Sequence, residues 1–225
     1  MIKKILDCIM PLVLTFICMI IGTLAAVALI SVYAGVSPDV QSVTQAVPAT
    51  TLISTAAFYI LTFIVMIRLV KVDTLRYGKF QNEWSIPKIV LSTAAAFVIA
   101  IALNYILYYS GVTRIFTTYQ EAVEGSVVGQ PLILIIIVNV ILAPIVEEIV
   151  FRGLTYRRIR EKLGVTAAII LTSLMFGLYH MNMVQFIYAT LLGLLLAYYV
   201  EKSNSLVPCI LAHMAANSFA VISFI

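Results

Sequence analysis

The sequence predicts an all-α fold, a polytopic membrane helical bundle of about seven transmembrane helices. Of its 225 residues, 63% are hydrophobic and only 11% charged, where a soluble domain carries about 25% charged residues. Mean hydropathy is +1.10. Seven runs reach or approach the roughly 20 apolar residues that a membrane-spanning helix needs. They are about 9–33, 49–67, 87–110, 131–152, 164–181, 183–200 and 205–224. No polar stretch is long enough to fold separately, so 1–225 reads as a single membrane domain.

The first run follows Met1-Ile2-Lys3-Lys4, the charged start of a signal peptide. Its apolar part continues to about Ala34, longer than the roughly 7–15 residues of a signal-peptide core, so it reads as a retained first span. Gly35-Val36-Ser37-Pro38-Asp39 ends it. The second run closes at the polar segment Arg68 to Lys88, which contains Gly78, Trp84 and Pro87. Tyr105, Tyr108 and Tyr109 close the third; with Trp84 they are expected to anchor at the interface. The loop 111–130 carries Glu121 and Glu124 with amphipathic spacing, which fits a short surface helix or a plain loop equally. The fourth run meets the basic segment Thr155–Gly164, expected to touch anionic headgroups through Arg157, Arg158, Arg160 and Lys162. Met181-Asn182-Met183 and Glu201-Lys202-Ser203-Asn204 are tight connections.

Orientation follows from the cations. With the N-terminus inside, the inner segments hold Lys3, Lys4, Arg68, Lys71, Arg76, Lys79, Lys88, Arg152, Arg157, Arg158, Arg160, Lys162 and Lys202, 13 of the 14 Lys and Arg. Only Arg114 falls outside. The positive-inside rule therefore sets the N-terminus in and the C-terminus out. The net charge of +4 is spread over these connections and gives no nucleic-acid signal. The three cysteines, Cys8, Cys18 and Cys209, form no CxxC and sit in apolar surroundings, as buried free thiols do.

Inside the spans, apart from Arg68 and Lys88 at helix ends, the ionisable groups are Glu147, Glu148, Arg152, His180 and His213. An ionisable residue at membrane depth is a functional candidate, because hydrocarbon tolerates it only facing a partner or a wet cavity. Glu148 and Arg152 are four apart and share a helix face, so they can neutralise each other. Glu147 lies about 100° round the helix and has no such local partner. His213 and Asn217 also share a face. All of this chemistry falls in 131–225, a four-helix catalytic core, while 1–130 reads as scaffold helices.

Two chemistries fit such a set. A carboxylate in a partly dry pocket can act as general base on water, while imidazole and amide groups stabilise an oxyanion. Alternatively, Glu147, His180 and His213 form a three-ligand Zn2+ set with an open fourth position. Both hydrolyse an amide. No Ser or Cys stands in a nucleophile motif.

Glu-Glu-x-x-x-Arg (147–152), Phe-x-x-x-His (176–180) and His-x-x-x-Asn (213–217), in this order on separate membrane helices, resemble the CPBP family. These are the CAAX prenyl endopeptidases and the bacterial Abi-type, bacteriocin-processing proteins. The resemblance covers about 130–225 and implies an intramembrane endopeptidase. It implies that Glu147 activates water with His180 assisting or ligating metal. It gives His213 and Asn217 the oxyanion, and Glu148 with Arg152 a supporting role. It leaves open a metalloprotease or a metal-independent mechanism.

The implied substrate is a peptide or membrane protein, and the implied setting is the lipid bilayer of a bacterial plasma membrane. The rivals are a non-catalytic bacteriocin-immunity or regulatory protein, and a proton-coupled transporter; the latter is disfavoured because no repeat or pair of broken spans is evident. Asn139, eight residues before Glu147, is placed to line the same cavity or to make a helix–helix hydrogen bond. Tyr188, Tyr198 and Tyr199 fit packing better than substrate contact. Depth is the awkward point. His180 lies about 24 Å from Gly164 at 1.5 Å per residue, deeper than its partners measured from the basic end. A tilted or low-starting fifth helix would reconcile this with a site facing the cytoplasm, which is the expectation.

Overall fold

The computed structural model describes residues 2–36, 40–115 and 130–222. The loop glutamates Glu121 and Glu124 lie outside them. Every regular element within them is helical. They are α1 (Ile2–Val36), α2 (Val40–Tyr77), α3 (Ile86–Tyr109), the single turn α4 (Val112–Ile115), α5 (132–163), α6 (Val165–Tyr179), α7 (Met183–Ser203) and α8 (Val207–Ile222). Apart from α4, that gives seven rods among the described residues. The chain is an all-α polytopic membrane protein.

Among the described residues, five stretches have the length and hydropathy to cross a bilayer, and one of them, Leu132–Tyr179, comprises the two rods α5 and α6 separated at Gly164. Leu24, Val32, Val90, Leu91 and Ile133 are more than half exposed on the outside of the bundle. Apolar surface on that scale belongs against lipid, not water.

The organising rod is α5, which packs on α1, α2, α6, α7 and α8. Val150, Phe151, Arg152, Leu154 and Thr155 are fully enclosed, as expected for a helix covered on all sides. The sequence suggests a plain α-helix here; the rod instead alternates. Ile136–Leu142 and Ile149–Tyr156 are wound as π-helix, and the α-helical turn Ala143–Glu148 between them carries both glutamates. Pro144 explains the first widening, since it supplies no N–H and its ring crowds the carbonyl one turn back. In the second, the Thr155 hydroxyl donates to the Val150 carbonyl five residues earlier at 2.9 Å. Wide turns of this kind gather at functional sites.

The connections place the last three rods. Asn182 caps α7, its side-chain oxygen accepting from the backbone N–H of Val184 and Gln185. α6 and α7 then run antiparallel in contact. Gly177 permits that closeness, because a Cβ there would stand 2.6 Å from the Phe186 carbonyl and collide with the Thr190 hydroxyl.

Two surface expectations change. Trp84 is buried, donates from Nε1 to the Lys202 carbonyl at 2.8 Å and packs edge-on to Tyr199. It ties the α2–α3 connection to α7 instead of floating at an interface. The basic cluster of α5 is likewise engaged within the protein. Arg158 forks onto Asp73 of α2 at 2.8 and 2.9 Å. Arg157 donates to the carbonyls of Tyr77 and Gly78. Arg160 pairs with Glu201 of α7 at 2.7 Å, and Lys162 pairs with Asp7 of α1. Planar guanidinium groups suit this bidentate stapling.

Candidate active site

The two adjacent glutamates have different surroundings. Glu148 is fully buried, and its Oε1 accepts from Arg152 Nη1 at 2.8 Å. The same oxygen lies 2.8 Å from His213 Nδ1 of α8. Arg152 also donates to the Gly193 carbonyl of α7 at 3.2 Å. Position 193 must be small, since a Cβ would come within 3.1 Å of that guanidinium and 3.2 Å of the Ser173 backbone. The expected Glu148–Arg152 pair is thus formed and extended to three helices. Leaving either charge alone here would be strongly unfavourable.

Glu147 points elsewhere. Its Oε1 accepts from the Tyr59 hydroxyl at 2.6 Å, and its Oε2 lies 3.8 Å from His213 Nε2. Glu147 lines a cavity of about 270 Å3 together with His180, His213, Asn217 and Asn139. All four expected catalytic side chains therefore meet at one space, and Asn139 shares it. Asn217 Nδ2 donates to the Asn139 backbone carbonyl at 2.9 Å, which fixes the amide against α5.

Hydrogen bonding orients both imidazoles. His180 Nδ1 lies 2.8 Å from the Phe176 carbonyl, which can only accept. Nδ1 therefore carries the proton, and Nε2 of the neutral ring is an acceptor. His213 Nδ1 faces the Glu148 carboxylate and donates in the same way, so its Nε2 is the atom turned towards Glu147. Phe176 stands edge-on between the two rings, with centroids 5.0 and 5.5 Å away.

Sequence reasoning missed Tyr59. The first three spans contain no carboxylate or imidazole and read as scaffold, yet α2 delivers a phenol to the carboxylate. A tyrosine in an apolar helix gives no signal above ordinary packing. Tyr179 also lines the cavity, as does Tyr188, for which the sequence favours packing over substrate contact.

The cavity's position follows from the elements that line it. Its walls come from Tyr59 of α2, the last two turns of α3, Thr113 of α4, the first half of α5, the end of α6, the first half of α7 and the second half of α8. These are the ends opposite the basic cluster, not the ends near it. The depth of His180 is thereby accounted for: it belongs to the far end. The cavity's outer rim thus lies at the end away from Arg157, Arg158, Arg160 and Lys162.

Three ligands on tetrahedral Zn2+ each lie about 2.0–2.3 Å from the ion. Among the described residues, no three His, Cys, Asp or Glu side chains are grouped to hold a metal. Glu147, His180 and His213 share the cavity without closing into such a set, so no step below is routed through a metal.

Comparison with known proteins gives the family. Residues 129–219 match the family model described as type II CAAX prenyl endopeptidase Rce1-like. The chain is 30% identical over 218 residues to the Bacillus subtilis (strain 168) protein named "Putative membrane peptidase YdiL", covering 94% of this chain and 86% of that one. The chain belongs to the Rce1-like CPBP family of membrane peptidases. No solved structure matches it. The stretch matched to the CPBP family spans α5 to most of α8, and so includes every expected site residue but not Tyr59.

Proposed function

We propose that the chain is an intramembrane endopeptidase in which Glu147 activates water against a peptide bond of a membrane-associated peptide or protein. The observation that carries this reading is the contrast at positions 147 and 148. Glu148 is neutralised by Arg152, whereas Glu147 faces the cavity, with the Tyr59 hydroxyl and the His213 imidazole against its oxygens. A carboxylate so placed is a base in search of a proton.

In the reaction, water in the cavity gives its proton to Glu147 and its oxygen bonds to the scissile carbonyl carbon. Tyr59 holds the carboxylate in position throughout. The oxyanion accepts from Asn217, whose amide retains a second N–H beyond the one given to Asn139. In its charged form His213 adds Nε2–H to that oxyanion. Collapse breaks the C–N bond, and Glu147 returns the proton to the leaving amine, directly or through His180 Nε2. Glu148 and Arg152 are positioning residues that hold His213 by its Nδ1–H.

The test is Glu147→Gln in the full chain, compared with the parent by proteomics of membrane and secreted peptides. Cleavage should disappear while expression and thermal unfolding stay unchanged. Cleavage that persists refutes the assignment, and a phenotype retained without cleavage points to a binding role. In the purified protein, loss of cleavage on chelation and its return with Zn2+ would give Glu147, His180 and His213 to a metal instead.

A further inference from the structure

The cavity runs from mid-bundle, at Glu147, His213 and Leu192, to a rim at the end opposite the basic cluster, and four helices place that rim at a similar distance from it. On α3, Leu107 lines the cavity 19 residues beyond Lys88, about 28 Å at 1.5 Å per residue. On α6, His180 is 16 residues from Gly164, about 24 Å. On α7, Gln185 is 17 residues before Lys202, about 26 Å. On α8, Val221 is 16 residues past Ser205, about 24 Å. These spans approach the roughly 30 Å hydrocarbon thickness of a bilayer. Glu147, ten residues before Arg157, sits about half-way.

Cations next to apolar spans mark the cytoplasmic face. The wall towards the far end carries no charge and sets four amides among apolar side chains. Asn104, Asn139, Gln185 and Asn217 bring four amide side chains from α3, α5, α7 and α8. An amide both donates and accepts, and so matches the alternating N–H and C=O of a peptide backbone.

We propose that the cavity opens to the non-cytoplasmic face and receives an extended, uncharged peptide segment from that side. The substrate class is then a polypeptide presented outside, a translocated or outer-leaflet segment, and not a cytosolic chain end. The substrate part rests on the peptidase reading; the direction of opening does not.

The experiment is thiol labelling of the full-length protein in intact cells, in the Glu147→Gln background so that binding is read without cleavage. The native cysteines are buried and give the background. Met181→Cys reports the exposed α6–α7 turn, Gln185→Cys the cavity, and Glu161→Cys the basic end. A membrane-impermeant maleimide should label positions 181 and 185 in intact cells, and position 161 only after permeabilisation. The reverse pattern overturns the proposal. So does a position 185 that stays unlabelled from both sides. Met183→Cys replaces the turn probe if Met181→Cys fails to accumulate. Added outside, an acetylated and amidated Ala-Leu-Ala-Leu-Ala peptide should slow labelling at 185 severalfold, and an Asp-rich peptide should not. Equal effects of the two peptides overturn the substrate class while leaving the opening in place. Persistent cleavage by Glu147→Gln would instead defeat the peptidase reading alone.

Discussion

The two ends of the bundle handle polar groups in opposite ways. At the basic end three helices, α1, α2 and α7, are stapled to α5 by paired charges, with Asp7 on Lys162, Asp73 on Arg158 and Glu201 on Arg160. In the cavity the lining holds no Lys or Arg, and its one carboxylate, Glu147, meets only uncharged or titratable partners, the Tyr59 hydroxyl and His213 Nε2 at 3.8 Å, within the described contacts. Both ends bury carboxylates. The difference is that a paired carboxylate has its electron density already committed, while an unpaired one remains available to a substrate or a proton. Charge saturation builds the scaffold, and its deliberate incompleteness builds the site.

The comparison can be broken most severely at Glu147. Glu147→Gln should lower peptide hydrolysis by about 10²–10⁴-fold, the range for loss of a general base, with unchanged unfolding. Arg152→Met should act in the other currency, stability, because it strands Glu148. A loss of about 3–5 kcal/mol is expected for breaking a buried pair, read by thermal unfolding in detergent. An Arg152→Met protein that melts like the parent would show that the two glutamates are not differently committed. Tyr59→Phe keeps the ring and removes one hydrogen bond to a charged acceptor, worth about 1.5–3 kcal/mol. It should reduce cleavage about tenfold and lower stability by no more than that hydrogen bond's worth; unchanged cleavage would return α2 to the role of scaffold. The smallest effect is expected from Arg160→Ala. Its pair with Glu201 is half-exposed, and such pairs contribute less than about 1 kcal/mol, so neither melting nor cleavage should move much.

Much of the site is legible one residue at a time. Glu147, His180, His213 and Asn217 stand out because ionisable and amide groups are rare in apolar spans, and that rarity survives without coordinates. Tyr59 and the π-wound turns do not stand out. A tyrosine is ordinary in a membrane helix, and its partner lies 88 residues away. The basic cluster shows the opposite failure. Its charges were visible, but their partners Asp7, Asp73 and Glu201 come from three other helices, so lipid contact seemed their use.

By itself the sequence determined the class, the number of rods, the order of the motifs and the end that carries the cations. Hydrocarbon enforces each of these on every span separately, so each is written locally in hydropathy and charge. Only the tertiary structure decided which glutamate is left free, which distant phenol holds it, and at which end of the bundle the cavity lies. Those depend on how side chains from separate helices share one volume, and no single stretch of chain contains that information.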